Sequence, residues 1–195
     1  MKRLPRILIC TGIFLITASL ALFLLIFFSV AKVELDYNLN KPKATINQIN
    51  PVDKNFGIII PKIGANAKIV AQVDPFNSNI YQVALTKGVA QAKGSAYPDT
   101  IGNMFIFSHS SANILEARSY NSVFYLLSKL KKDDEIYIYY KGQKYKYQVT
   151  EIKMVDAKEV SYLNPNSEVK TLILMTCWPP GTTFKRLLVI AQINK

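Results

Sequence analysis

Apolar and polar residues change period several times along this chain, and each change predicts an element. From Ile7 to Ala31 no residue is charged, and Leu, Ile and Phe dominate. That run exceeds the ~20 residues a helix needs to cross a bilayer, which predicts a transmembrane helix. Lys32 to Asn55 mixes charges, Asn and two prolines with no sustained period, and reads as a stalk. Phe56-Gly-Ile-Ile-Ile-Pro-Lys-Ile-Gly64 looks like a first strand, with Pro61 arguing for an edge or a bulge. Ala67 to Val73 is a second strand, stopped by a turn at Asp74-Pro75-Phe76. Ser78 to Leu85 predicts a short helix with Ile80, Tyr81, Ala84 and Leu85 on one side. Gly88, Gly94, Pro98 and Gly102 then punctuate a loop-rich passage into a strand at Asn103 to Phe107.

Further on, Val123, Phe124, Leu126, Leu127 and Leu130 mark one face of an amphipathic helix capped by Asn121 or Ser122. Ile136, Ile138 and Tyr140 alternate with Tyr137 and Tyr139, and Lys141-Gly142-Gln143 turns into Tyr145, Tyr147 and Val149. This is the pattern of a hairpin of half-buried strands, the second extending toward Val155. Apolar runs at Thr171 to Cys177 and Leu187 to Ile193 complete the set. Seven to eight strands with one or two short helices predict a mainly β fold, a small closed or partly closed barrel preceded by the transmembrane helix. The expected organisation is a cytoplasmic N-terminus and anchor over 1–31, a stalk over 32–54 and the barrel over 55–195.

Charge gives this layout a direction. Lys2, Arg3 and Arg6 precede the apolar run, so the N-terminus is expected in the cytoplasm and the barrel outside it, in a single-pass cell-membrane protein. A cleaved signal peptide fits less well, because its apolar core is only ~7–15 residues long and ends at a small-residue site. The part beyond the anchor holds 21 of the 24 basic residues and all 13 acidic ones, a net charge of +8. Export argues against nucleic acid as the partner, and no aromatic-plus-basic binding motif is present. A single histidine and scattered carboxylates give no metal-ligand spacing, and no phosphate loop occurs, so no metal or cofactor is expected.

Cys10 lies inside the anchor, leaving Cys177 as the one cysteine of the exported part. Such a thiol is either buried and structural or put to use. Its context favours use. Cys177 ends one apolar segment, Pro179-Pro180-Gly181 breaks the structure, and Arg186 opens the next segment. As antiparallel neighbours these strands set thiol and guanidinium at one end of a sheet. His109, in Asn103-Met-Phe-Ile-Phe-Ser-His-Ser-Ser111, also ends an apolar strand. Cysteine, histidine and arginine at strand ends are the parts of a thiol acyl-transfer site. Around them Thr176, Trp178 and Ser108 are candidate substrate-binding residues: Thr176 as a hydrogen-bonding neighbour, Trp178 as a groove wall, Ser108 as part of a polar lip formed with Ser110 and Ser111. No Gly-x-Ser-x-Gly context supports a serine hydrolase.

These residues resemble the sortases, membrane-anchored cysteine transpeptidases. Phe56 to Gly64 is similar to the family's opening strand, and Lys87-Gly88-Val89 with Gly102-Asn103 to its approach to the catalytic histidine. Ser108-His109 stands where many members have Gly-His. Thr171-Leu172, Thr176-Cys177 and Arg186 resemble the Thr-Leu-x-x-x-Thr-Cys…Arg signature. The resemblance implies a sortase-like barrel with Cys177 as nucleophile, His109 as acid/base partner and Arg186 as third essential residue. It implies cleavage of a protein substrate at a C-terminal sorting motif through a thioacyl enzyme, and transfer to an amine acceptor. Two other readings stay open on the residues: a purely hydrolytic cysteine peptidase, and a membrane-tethered envelope-binding barrel.

Overall fold

The computed structural model describes residues 3–39, 49–110 and 123–193. The chain divides into two compact units, Met1–Lys41 and Pro42–Lys195. In the first, a single helix, α1, runs over Arg3–Leu39. It continues past Ala31, so the stretch read as the start of an irregular stalk is helical through Leu39. Among the described residues no helix is long and apolar enough to cross a membrane.

The second unit is a closed eight-stranded barrel: β1 (Phe56–Ile60), β2 (Ala65–Val73), β3 (Val89–Ala92), β4 (Gly102–Phe107), β5 (Glu135–Tyr140), β6 (Gln143–Asp156), β7 (Lys170–Trp178) and β8 (Lys185–Ile193). Around the barrel the order is β1-β2-β3-β4-β7-β8-β6-β5, closing back on β1 through the β1–β5 pair. Closure removes the exposed edges an open sheet would present. Two pairs, β2–β3 and β4–β7, are parallel, and the remaining pairs are antiparallel. α2 (Ser78–Leu85) makes the crossover from β2 to β3, started by the Asn77 side chain, which accepts from the Ile80 N–H at 3.3 Å. Tyr81, Ala84 and Leu85 turn inward as expected, while Ile80 is exposed. The turn before α2 is held by Asp74 Oδ1, which accepts from the Phe76 N–H at 2.9 Å.

Three expectations need correction. The loop-rich passage contains β3, which begins where Gly88 lets the backbone come close to β2. A Cβ on Gly88 would stand 2.2 Å from the Lys68 carbonyl oxygen, a distance no side chain tolerates. The expected amphipathic α-helix is a 3₁₀ turn, Tyr125–Lys129. Buried Leu127 within it and buried Phe124 and Leu130 at its two ends are spaced by three, the 3₁₀ period rather than the α period; the proposed caps Asn121 and Ser122 lie outside the described residues. Finally, the end of the stalk is docked on the barrel. The Val52 N–H donates to Asn66 Oδ1, Asn66 Nδ2 donates to the Asn50 carbonyl, and the Lys141 and Gly142 N–H groups reach the Asn55 and Lys54 carbonyls.

Inside the barrel Ile58, Ile60, Met104, Ile106, Leu172, Leu174 and Val189 are at most 1 % exposed. Each such side chain contributes roughly 1.5–3 kcal/mol over an exposed one. A second apolar layer lies outside the barrel wall: Phe105, Phe107, Ile173 and Leu188, covered by Leu85 of α2, with Tyr162 and Leu163 packed against it. Residues of β4, β7 and β8 therefore bury both faces, as in the interior of an α/β sheet.

Candidate active site

Register in three adjacent strands brings the predicted residues to one end of that two-faced wall. Cys177 of β7 and Arg186 of β8 are directly opposed in the antiparallel ladder. Opposed residues project to the same face with Cβ atoms about 5 Å apart. On the other flank β4 runs parallel to β7, with Phe107 level with Met175. The Ser108 N–H extends this ladder to the Met175 carbonyl at 3.1 Å, which brings His109 level with Cys177. Phe107, Met175 and Leu188 belong to the outer layer. Alternation by two along each strand puts Cys177 and Arg186 on that same outer face. Cys177 is half-buried there and is not in a disulfide.

His109 meets α2. Its Nε2 lies 3.1 Å from Oε1 of Gln82, a residue the sequence did not single out. What positions Gln82 is its neighbour Tyr81, whose ring packs edge-on against Phe107 at 6.3 Å. Phe107 is itself two residues before His109. The one available signal was that Gln82 adjoins the stripe Tyr81–Ala84–Leu85, which had to face the sheet.

On the opposite flank Arg186 Nη1 donates to the Thr183 and Lys185 carbonyls at 3.1 and 3.2 Å, which aims the guanidinium from the β7–β8 loop. Tyr162, in the 3₁₀ turn Ser161–Leu163, stacks on Phe105 at 5.4 Å. Burial pushes its hydroxyl pKa up, the Arg186 charge pulls it down, and Glu159 and Cys177 push it up again. Tyr162 is thus electrostatically in touch with both Cys177 and Arg186. A loop tyrosine with no periodic context gave the sequence reading nothing to find it by.

The other candidates occupy different places. Thr176 and Ser108 are 1 % and 5 % exposed, and Thr176 Oγ1 donates to the Ser108 carbonyl at 3.0 Å. By alternation Thr176 faces away from Cys177. These two buckle the end of β4 to β7 from the barrel side, and as buried groups they do not line a groove. Trp178 ends β7 opposite Lys185, half-buried, on the Thr176 side by the same alternation. Ser110 is 4 % exposed, and its Oγ accepts from the Gly181 N–H at 3.4 Å, tying the His109 loop to the β7–β8 loop. Ser111 lies outside the described residues. An open depression lined by Val155, Asp156, Lys158, Glu159 and Lys185 borders the Arg186 end of β8, and neither Cys177 nor His109 lines it. Among the described residues no group of three or more His, Cys, Asp or Glu side chains is placed to hold a metal ion.

Residues 58–194 match the sortase domain. The chain is 30% identical to sortase D of Bacillus subtilis (strain 168) over 136 residues, covering 68% of this chain and 60% of that protein. Sortase A of Listeria monocytogenes serovar 1/2a is 35% identical over 78 residues, 40% of this chain and 35% of the relative. The chain thus spans 60% and 35% of the lengths of these two relatives. Among solved structures, sortase A from Corynebacterium diphtheriae shares the fold with a TM-score of 0.61 and 27% identity, over 80% of this chain and 68% of that one. The matched span covers most of the chain, and the chain belongs to the sortase family.

Proposed function

We propose that this protein is a cysteine transpeptidase, with Cys177 as nucleophile, His109 as acid and base, and Arg186 as the donor that balances developing charge. The observation that carries the reading is the opposition of Cys177 and Arg186 in adjacent strands, with His109 level on the other side of Cys177. A thiolate beside an imidazolium is the reactive form of such a pair. The Cys177 sulfur attacks the carbonyl carbon of the peptide bond at a sorting motif. The tetrahedral oxyanion is met by the N–H donors of the Arg186 guanidinium. On collapse the C–N bond breaks and His109 gives its proton to the departing amine. The thioester is resolved when a second amine attacks the same carbon, loses its proton to His109 and expels the thiolate. If water takes that place, the same site is a peptidase.

The location follows from the chain's first residues. The uncharged run Ile7 to Ala31 forms the anchor within 1–31, residues 32–54 carry the catalytic barrel of 55–195 away from the bilayer, and Lys2, Arg3 and Arg6 keep the N-terminus in the cytoplasm. The barrel then meets surface-protein substrates and amine acceptors outside the cell membrane.

The test is to incubate the protein with a library of sorting-signal peptides and read the mass added to Cys177. An acyl adduct discharged by an amine into a new amide supports the transpeptidase. Discharge by water alone, with amines present, supports the peptidase. A thiol that no peptide acylates overturns both.

A further inference from the structure

We propose that Gln82 is a positioning residue that sets the tautomer of His109 and favours its protonated form. The proposal rests on the acid and base role assigned to His109 above, and on the 3.1 Å contact between Gln82 Oε1 and His109 Nε2. An amide oxygen accepts but cannot donate, so this geometry requires a hydrogen on Nε2. In the neutral ring the other nitrogen, Nδ1, is then the one without a proton, and it takes up the proton to form the imidazolium. Proton exchange with the Cys177 sulfur and with the amines is thereby assigned to Nδ1. Which ring nitrogen carries the proton is set by what the other one bonds, a general property of histidine.

The contact also acts on the charge. A hydrogen bond from Nε2–H to a carbonyl oxygen strengthens when the ring is cationic, so it favours the imidazolium. That is the state that stabilises the thiolate and later protonates the leaving amine. Gln82 supplies this without bringing a charge of its own. The ionisable groups placed at this end of the wall, among the described residues, are Cys177 of β7, Arg186 of β8 and Tyr162, with Tyr81 on α2 packed against Phe107.

Position also argues for a built contact. α2 is fastened by buried Ala84 and Leu85 and by the Tyr81–Phe107 ring pair, so Gln82 reaches His109 from a helix docked on the strand that ends there. Gln82 is exposed and fills no cavity, so a structural role in folding would not explain a defect on its replacement.

Because the chain has one histidine, its ring signals can be followed without ambiguity by NMR in the full chain in detergent. The parent, Gln82→Leu and Gln82→Glu are titrated, melted and assayed across pH. Gln82→Leu should lower the His109 titration midpoint, move the alkaline limb of the kcat/KM profile down with it, and cut kcat/KM by ~10-fold, with Tm unchanged. Gln82→Glu keeps the acceptor and adds a negative charge, so it should raise the midpoint and recover much of the rate. If Gln82→Leu leaves both midpoint and Nε2 protonation as in the parent, the proposal is overturned, and a rate loss without a midpoint shift overturns it equally. The titration does not depend on turnover. A shifted midpoint in a protein that acylates no peptide would therefore sink the transpeptidase reading and leave the Gln82 contact standing.

Discussion

Two walls of the same barrel are built in opposite ways. In β4, β7 and β8 the inner residues Met104, Ile106, Leu172, Leu174 and Val189 are matched by outer ones, Phe105, Phe107, Ile173 and Leu188, that are also buried. In the β5–β6 hairpin the inner residues Ile136, Ile138, Tyr147 and Val149 are buried. Its outer face instead carries Lys144 over the Tyr137 ring at 5.7 Å and Lys146 paired with Glu135. The hairpin closes the barrel and meets water. The other wall is wrapped a second time, by α2 and the Ser161–Leu163 turn, and ends in Cys177, His109 and Arg186. Burial on both faces fixes the backbone from two sides and excludes water, the conditions under which a few oriented donors stabilise a transition state best. The residues proposed for catalysis sit where the sheet is thickest, and the half-exposed hairpin carries none of them.

The contrast between the two walls is greatest at the thiol. Cys177→Ala should abolish peptide cleavage and transfer, with Tm nearly unmoved because the side chain is only half-buried at a strand end. Product formation by a homogeneous preparation of the variant would move the chemistry off this wall. Arg186 comes next. Lysine keeps the charge but loses the planar guanidinium, whose Nη1 donates to the Thr183 and Lys185 carbonyls opposite Cys177. Arg186→Lys should therefore fall ~10²–10³-fold in kcat/KM, close to Arg186→Ala. Full activity in Arg186→Lys would reduce the residue to a generic cation, and a large drop in Tm would recast it as structural.

How legible each wall was in the sequence follows from the same difference. The hairpin was readable because one face meets water, so Ile136, Ile138, Tyr147 and Val149 alternate with polar partners. β7 and β8 were readable as unbroken apolar runs, and the opposition of Cys177 and Arg186 followed from the strand ends. β3 was not. Val89-Ala-Gln-Ala92 has neither bulk nor alternation, and its place depends on Gly88 and on buried Gln91, whose Nε2 donates to the Ala96 carbonyl at 3.0 Å. Gln82 and Tyr162 escaped for a related reason: each contacts the site from an element whose docking no local pattern records.

Stability should separate the two walls as clearly as catalysis does. Phe105 is 1 % exposed, and its ring meets Phe107 and Tyr162 in the outer layer. Phe105→Ala should cost ~3–5 kcal/mol and, by loosening Tyr162, should lower activity at temperatures where the variant is still folded. Lys144→Ala, on the outer face of the hairpin, should stay within ~0.5 kcal/mol of the parent. Urea denaturation of both variants decides this. Equal losses would mean that the hairpin face is covered too.

A smaller effect than the loss of Phe105 is expected at the seam where the segment before β1 closes on the hairpin turn. Asp53 Oδ1 accepts from the Asn55 and Phe56 N–H groups at 2.7 and 3.1 Å, and Lys68 Nζ stands 3.4 Å from Oδ2. Partial burial pushes the Asp53 carboxyl up, but the two N–H groups and the Lys68 ammonium outweigh it, so its pKa lies below the ordinary carboxylate value. A carboxyl depressed by folding stabilises the folded state above its unfolded pKa, near ~4, and that contribution is lost as pH falls through the folded value. Asp53→Asn keeps the shape and one acceptor and removes the charge. It should destabilise the barrel by about 1 kcal/mol at pH 7, with the gap narrowing as the medium is acidified through the carboxylate range. Urea melts of parent and variant at neutral and acidic pH give the comparison. A gap of constant width would show that the Asp53 charge contributes nothing, and that its oxygen acts only as a neutral acceptor for the turn.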